Sequence, residues 1–292
     1  MPLQDEIQQE ALITIGMPVY NGSSFIQLAL ESLTKQSFKD FIVLISDNAS
    51  TDSTEQIVKE FAKTDSRIHY IRQTKNLGAL GNFEFVLRQA HSKYFMWAAC
   101  DDLWSENWLE TKVKLLESCK QPAMAFSKIQ TINSDGEKIP HPALSIDLNF
   151  TGSKFMRRVR YYLMPELYGK ANPIYSLYPT ELAKTIKLQK FSLDYHLVFE
   201  MLNRAEIRIC TDSTFYKRIH HASSGDEQAT NTGIIGKIIR PLKSWSLYWG
   251  YWPLATVAER VWLLLLLPLK LILIYGAAVF SDIQKRQSKR QN

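Results

Sequence analysis

The chain contains the stretch Tyr94-Phe95-Met96-Trp97-Ala98-Ala99-Cys100-Asp101-Asp102-Leu103-Trp104. An apolar run of this length that stops at polar residues predicts a buried strand of a parallel sheet. Two carboxylates at the end of such a strand are costly unless a cationic group meets them. Hard oxygen ligands suit Mg²⁺ or Mn²⁺, so one interpretation is a divalent cation that carries a phosphorylated ligand. The alternative is that Asp101 or Asp102 simply caps the next helix.

Predicted strands and helices alternate four times around this stretch. The strands are predicted at residues 12–17, 41–45, 68–71 and 94–99, and each is followed by a helical pattern. A capping box of Asp52 and Glu55 is expected to start the second helix. Such alternation predicts an α/β fold with a mostly parallel sheet. Ligands of these folds bind at the carboxyl ends of the strands, so the polar segments at 18–21, 47–52 and 101–102 are expected to form one site.

Composition limits the class of protein and its compartment. The 292 residues, 46% of them hydrophobic, allow one large domain or a domain with an appendage. Lys and Arg exceed Asp and Glu by 35 − 29 = 6, which suits anionic ligands or an anionic membrane face and does not indicate nucleic acid. The three cysteines lack metal-type or redox-type spacing and fit a reducing compartment. Residues 1–10 do not resemble a signal peptide, so the catalytic part is expected in the cytosol.

The pattern changes in the second half of the chain. A turn at residues 134–136 predicts a hairpin, and a helix is expected to begin at or near Asp194. Further strands are predicted at residues 172–179, 207–211 and 214–219.

A third kind of composition begins at Ile234, with Trp and Tyr residues ahead of a long apolar segment. From Val261 to Phe280, Lys270 is the only charged residue, and a basic tail follows. Twenty apolar residues can reach across a hydrocarbon core, and their leucines roughly offset the cost of Lys270. We therefore expect membrane association through this segment, as a helix kinked at Pro268 or lying in the interface. The alternatives are packing on the catalytic domain and a helix seam in a homo-oligomer.

The polar motifs follow one another in an order found in a known family. They are Pro18-Val19-Tyr20-Asn21, Ser46-Asp47-Asn48-Ala49-Ser50-Thr51-Asp52, Asn76-Leu77-Gly78, Asp101-Asp102-Leu103-Trp104, Asp194 and Arg218-Ile219-His220. This order resembles the family 2 glycosyltransferases of the GT-A fold over residues 11–224. The resemblance implies a nucleotide-sugar half at 11–120 and an acceptor half at 121–224. Composition predicts a polar extension at 1–10 and a hydrophobic helical, membrane-associating region at 225–292.

The resemblance also implies a role for each site residue. The nucleotide would be held by Pro18, Val19, Tyr20, Asn21, Asp47, Asn76, Gly78 and Asp101. Among these, Asp47 would accept a hydrogen bond from the imide of uracil or thymine. A Mn²⁺ or Mg²⁺ ion would be bound by Asp102 and His220, with Arg218 at the diphosphate. Cys100 stands where the family usually has Asp or Ser, and a thiol is a poor ligand for a hard cation.

Asp194 would be the general base, although Leu193 stands where the family often has Glu. As an isolated residue, Asp194 would more often be a helix N-cap.

The expected activity is inverting transfer of a sugar from a UDP- or dTDP-linked donor to a hydroxyl of a glycan acceptor. That acceptor is expected to be lipid-linked, and the enzyme to lie at the cytoplasmic face of a bacterial inner membrane in surface polysaccharide assembly. Transfer to a polyprenyl monophosphate and a non-catalytic membrane scaffold are the alternatives. A dinucleotide-dependent oxidoreductase is excluded because the first strand is not followed by Gly-x-Gly-x-x-Gly.

Overall fold

The computed structural model describes residues 11–141, 144, 146–165, 169–186, 188, 194–220 and 250–291. The strands are β1 (Ile13–Val19), β2 (Phe41–Asp47), β3 (Ile68–Arg72), β4 (Tyr94–Trp97), β5 (Leu103–Trp104), β6 (Ala123–Ile132), β7 (Tyr178–Pro179) and β8 (Glu206–Arg218). The main sheet has the order β3-β2-β1-β4-β7, in which only β7 is antiparallel to its neighbour. The predicted α/β fold with a mostly parallel sheet is therefore confirmed.

The two central strands of the main sheet are buried along their whole length. All seven residues of β1 and all seven of β2 are buried, as expected for strands covered on both faces. In the register, Val19 pairs with Asp47 and Gly16 pairs with Trp97, so three of the parallel strands end at one edge. Pro18 was predicted to end the first strand, but it lies inside β1, beyond the last residue that pairs with β4. This register brings the segments after β1, β2 and β4 to one side of the sheet.

Within the described residues, seven helices connect these strands. They are α1 (Ile26–Thr34), α2 (Thr54–Thr64), α3 (Gly78–Arg88), α4 (Trp108–Ser118), α5 (Lys154–Leu163), α6 (Thr180–Lys184) and α7 (Asp194–Met201). The predicted capping box at α2 is wrong. Asp52 accepts hydrogen bonds from Thr54 and from the backbone of Ser23, while Glu55 pairs with Lys59 and Arg72. Asp52 therefore connects the start of α2 to the loop after β1.

A second, three-stranded sheet has the order β5-β8-β6 and corrects two predictions. The strands expected at 207–211 and 214–219 form the single strand β8, which is irregular where Cys210 pairs with Ser127 and Thr214 with Lys128. The strand expected at 172–179 is a 3₁₀ turn at Asn172–Tyr175 followed by the two-residue β7. The turn at 134–136 does reverse the chain, because the N–H of Asn133 donates to the carbonyl of Glu137.

Helix α8 (Val257–Gln291) contains Pro268 and packs against α5. Its Glu259 forms a buried ion pair with Arg158, and its buried Lys270 donates to the carbonyl of Tyr162. One face of α8 therefore packs on the catalytic part, which was one of the alternatives for the C-terminal segment. Within the described ranges, no helix is long and apolar enough to span a bilayer.

The opposite face of α8 is exposed and apolar. Its exposed side chains are Val257, Val261, Trp262, Leu264, Leu265, Leu269, Ile272 and Leu273. The predicted extension at 1–10 and the Trp-rich residues at 225–249 lie outside the described residues, and the predicted domain boundaries remain predictions.

Candidate active site

The loops after β1 and β2 are joined by hydrogen bonds around Asn21. This residue has a left-handed backbone with φ of 51°. Its N–H donates to Ser50 Oγ over 2.9 Å, and its Oδ1 accepts from the N–H of Thr51 over 2.8 Å. The neighbouring Tyr20 has 52% of its surface exposed. Asn21 therefore fixes the loop, while Tyr20 is the side chain that a ligand at this edge would meet.

Asp47 lies at the end of β2 and is completely buried. Its Oδ1 accepts from the N–H of Ser50 over 2.8 Å. Its Oδ2 accepts from the Tyr70 hydroxyl over 2.6 Å and from Arg72 Nη1 over 3.1 Å. Tyr70 and Arg72 belong to β3 and were missed by the sequence analysis. A nucleobase could reach this carboxylate only beside these two side chains, so they belong to the candidate base-binding surface.

The third segment of the predicted nucleotide site begins α3. Asn76 Oδ1 accepts from Asn48 Nδ2 over 2.9 Å and from the N–H of Gly78 over 2.8 Å. Gly78 has φ of 75°, a left-handed conformation that favours glycine. The buried Asn82 donates from Nδ2 to the carbonyl of Ser46, over 2.9 Å. These amides hold the end of β2 against α3.

The adjacent carboxylates at the end of β4 meet different partners. Asp101 Oδ2 lies 2.9 Å from His220 Nε2. Asp102 is completely buried, and its Oδ1 accepts from the backbone N–H of Arg218 over 2.9 Å. Asp102 Oδ2 lies 3.1 Å from Lys217 Nζ. His220, which was predicted to bind a cation together with Asp102, contacts Asp101 instead. Lys217 is an additional cation that the sequence analysis missed.

The charges of this group shift one another. Burial raises the pKa of Asp102, while the Lys217 ammonium opposes that rise. Burial would also raise the pKa of Asp101, but Lys217 and His220 outweigh it and the net shift is downward. Burial would lower the pKa of Lys217, yet the carboxylates beside it raise it, so the ammonium is kept. Burial raises the pKa of the Cys100 thiol to about 12, which leaves that thiol protonated at neutral pH.

Arg218 points away from this group and is completely buried. Its Nε donates to the carbonyl of Asp101, and its Nη1 donates to the carbonyls of Asn133 and Ser134, all over 2.8–2.9 Å. The guanidinium also lies 4.7 Å from the centre of the Phe25 ring. Arg218 was expected to contact a diphosphate. Its hydrogen bonds instead hold the backbone beside Asp101 in place.

Asp194 is the first residue of α7, as predicted, and its side chain is exposed. Desolvation of the carboxyl group by the surrounding residues raises the pKa of Asp194, and the positive charge of Lys217 acts in the opposite direction. Asp194 also acts electrostatically on the buried Tyr175 hydroxyl, whose pKa is raised chiefly by burial. Lys217 therefore acts on the pKa of Asp194 as well as on those of Asp101 and Asp102.

A divalent cation at this position would need hard donor atoms. Carboxylate oxygens and an imidazole are suitable donors. Both oxygens of Asp102 and one of Asp101 are already engaged, however. Over the part of the chain that is described, no three Asp, Glu, His or Cys residues are grouped as metal ligands. A cation bound by Asp101 and Asp102 therefore stays a prediction, and it would share the Asp102 carboxylate with Lys217.

Comparison with known proteins identifies the family. The model of glycosyl transferase family 2 matches residues 14–174, more than half of the chain, and the chain belongs to that family. An uncharacterised glycosyltransferase of Rickettsia typhi is 23% identical over 228 residues, which cover 76% of this chain and 67% of that protein.

One further relative and one solved structure have more specific names. The UDP-Glc:α-D-GlcNAc-diphosphoundecaprenol β-1,3-glucosyltransferase WfgD of Escherichia coli is 31% identical over 105 residues, covering 36% of this chain and 41% of that enzyme. The chain therefore matches less than half of that enzyme's length. The mannosyltransferase PcManGT of Pyrobaculum calidifontis, solved with GDP-Man and Mn²⁺, aligns with a TM-score of 0.55 and 17% identity. That alignment covers 94% of this chain and 81% of the other, and it shows a shared GT-A-like fold.

Proposed function

We propose that the protein transfers a sugar from a UDP- or dTDP-linked donor to a hydroxyl of a glycan acceptor, with inversion at the anomeric carbon. The observation that carries the proposal is the group at the ends of β4 and β8, where Asp101 contacts His220 and Asp102 contacts Lys217. Asp194, the first residue of α7 on the acceptor half, would be the general base. A base on one side and a bound diphosphate on the other suit a single displacement, which inverts configuration.

The donor would lie along the edge formed by the loops after β1, β2 and β4. Its base would meet Tyr20 and the Asp47, Tyr70 and Arg72 group, and Asp47 would accept from the imide N–H of uracil or thymine. Its diphosphate would then extend toward Asp101 and Asp102. A Mn²⁺ or Mg²⁺ ion held there would neutralise charge on the departing nucleoside diphosphate.

We also propose that the acceptor is lipid-linked and that the protein works at the cytoplasmic face of a bacterial inner membrane. The exposed apolar face of α8 supports this, since contiguous exposed apolar surface is typical of interaction sites. The Escherichia coli relative is named for a diphosphoundecaprenol acceptor, which is consistent with this class of acceptor. Association of two chains through the same face is the competing use of this surface.

A nucleotide screen tests the proposed donor. The melting temperature is measured with UDP-, dTDP- and GDP-sugars, each with and without Mn²⁺, and we expect UDP- or dTDP-sugars to stabilise the protein most. CDP, measured beside UDP, is the matched control, because N3 of cytosine carries no hydrogen and cannot donate a hydrogen bond to Asp47. Stabilisation by CDP equal to that by UDP would contradict the role of Asp47. No stabilisation by any nucleoside diphosphate or its sugar would contradict the proposed function.

A further inference from the structure

The last two residues of β8 are both cationic and point to opposite sides. Adjacent residues on a strand alternate between its faces, so one faces inward and the other faces the site. Arg218 is buried and bonded to three backbone carbonyls. Lys217 instead reaches Asp102 and has 21% of its side chain exposed. Of these two neighbours, Lys217 is the one that a ligand can touch.

The Lys217 ammonium is only partly satisfied by the protein. It donates to Asp102 Oδ2 over 3.1 Å and lies 5.7 Å from the centre of the Tyr175 ring. Among the described residues no second acceptor receives its remaining N–H groups, although an ammonium has three to donate. The exposed part of the side chain lies beside Asp101 and Asp102, where the donor's diphosphate would lie. An anion at this position would find a fixed cation with free donors.

Arg72, another cation near the candidate nucleotide site, is already paired. It donates to Asp47 and to Glu55, at the end of the site assigned to the base. A diphosphate entering beside Asp101 and Asp102 would meet their negative charge, so it needs a positive group at close range. Lys217 meets that requirement without any change in its ionisation.

We propose that Lys217 binds the diphosphate of the nucleotide sugar and stabilises it as it leaves. This inference rests on the proposed function. In the reaction, the acceptor oxygen forms a bond to the anomeric carbon while the bond from that carbon to the phosphate oxygen breaks, and its electron pair stays on the phosphate. The acceptor proton passes to Asp194. Lys217 remains protonated throughout and donates hydrogen bonds to the phosphate oxygens, with Asp102 holding its side chain in place.

The test compares ligands that differ only in their phosphates. Affinities of uridine, UMP and UDP are measured by calorimetry, with and without Mn²⁺, for the wild-type protein and for Lys217→Gln. Glutamine keeps a hydrogen-bond donor for Asp102 and removes the charge. A hydrogen bond to a charged group corresponds to roughly ten- to a hundredfold in affinity, so we expect the preference for UDP over uridine to fall by about that factor. The affinity for uridine should not change.

Two further variants make the comparison specific. Lys217→Arg keeps the charge and should retain most of the preference for UDP. Lys128→Gln removes an exposed lysine from the neighbouring strand β6 and should behave as wild type. An unchanged preference for UDP in Lys217→Gln would overturn the inference while leaving the proposed function intact. Failure of the wild-type protein to bind any of these ligands would overturn the proposed function and the inference together.

A measurement on the wild-type protein covers the case in which Lys217→Gln does not fold. Lysine side chains are labelled with ¹³C at Cε, and their resonances are followed by NMR. UDP should shift the resonance of Lys217 and leave that of Lys128 unchanged, whereas uridine should shift neither. Equal shifts of the Lys217 resonance by UDP and by uridine would contradict the inference.

Discussion

The single residue on which the proposed chemistry depends most is Asp194. Asparagine has almost the same shape, and it cannot take a proton from an acceptor hydroxyl. Asp194→Asn should therefore lower the transfer rate by roughly 10²–10⁴, the usual scale for loss of a general base. The affinity for UDP should stay at the wild-type value, because the carboxylate lies on the acceptor half. Single-turnover transfer rates and calorimetric titration with UDP measure the two quantities.

The control for this change is Asp212→Asn, an exposed aspartate at the irregularity of β8. It should transfer sugar at the wild-type rate. If Asp194→Asn also does so, either the base is another residue or the acceptor is a group that is already ionised, such as a polyprenyl monophosphate, and needs no base.

At the residue scale, the sequence predicts groups whose partners lie close in the chain and misses those supplied from elsewhere. The carboxylates at 101 and 102 are visible because they end an apolar run. Tyr70, Arg72 and Lys217 are not visible, since nothing in a strand pattern tells which of two faces meets a carboxylate from another strand. Arg218 was expected at the diphosphate because it matches a motif of the family, and a motif match does not tell which face of the strand a side chain takes.

Among the elements, α8 is held to the catalytic part by a charged contact. The Arg158 guanidinium binds both oxygens of Glu259 over 2.7 Å, and both side chains are buried. Removing one partner of a buried pair leaves the other charge without compensation, so Glu259→Gln should lower the free energy of unfolding by about 3–5 kcal/mol. Urea denaturation measures this change.

The matched control for this element is Glu60→Gln, which removes the exposed pair with Lys63. Exposed pairs contribute little, so this change should stay within about 1 kcal/mol. An equally small effect of Glu259→Gln would show that α8 does not depend on this ion pair for its attachment.

The elements also show where sequence patterns fail. Apolar runs and helical spacing predicted β1 to β4 and the intervening helices. The same patterns divided β8 in two, because the strand is irregular where its register with β6 shifts. Lys270 was counted as a cost to membrane insertion, and the structure gives it a carbonyl partner on α5 that no pattern within α8 could indicate.

At the scale of the whole molecule, the exposed face of α8 predicts where the protein meets a membrane. The full-length protein should sediment with vesicles that contain anionic lipid. The double variant Leu265→Glu, Ile272→Glu should lower the bound fraction by about tenfold or more, because each side chain would otherwise bury substantial apolar area. Leu28→Glu, on an exposed leucine of α1, is the control and should bind as wild type.

If the double variant sediments with the vesicles to the same extent as the wild type, α8 is not the membrane contact. Concentration-dependent dimerisation that is lost in the double variant, without vesicle binding by the wild type, would assign the face to a second copy of the chain.

The contacts of Asp102 also set an order for the biosynthesis of the protein. Its partners Lys217 and Arg218 lie 115 and 116 residues later in the chain. The parallel strands β1 to β4 can pair while synthesis continues, but the buried carboxylate gains its cation only after β8 has left the ribosome. A nascent chain that stops before residue 206 would carry the nucleotide-side loops together with an uncompensated charge at their centre. The contacts of Asp102 with Lys217 and Arg218 therefore form only after β8 has been synthesised.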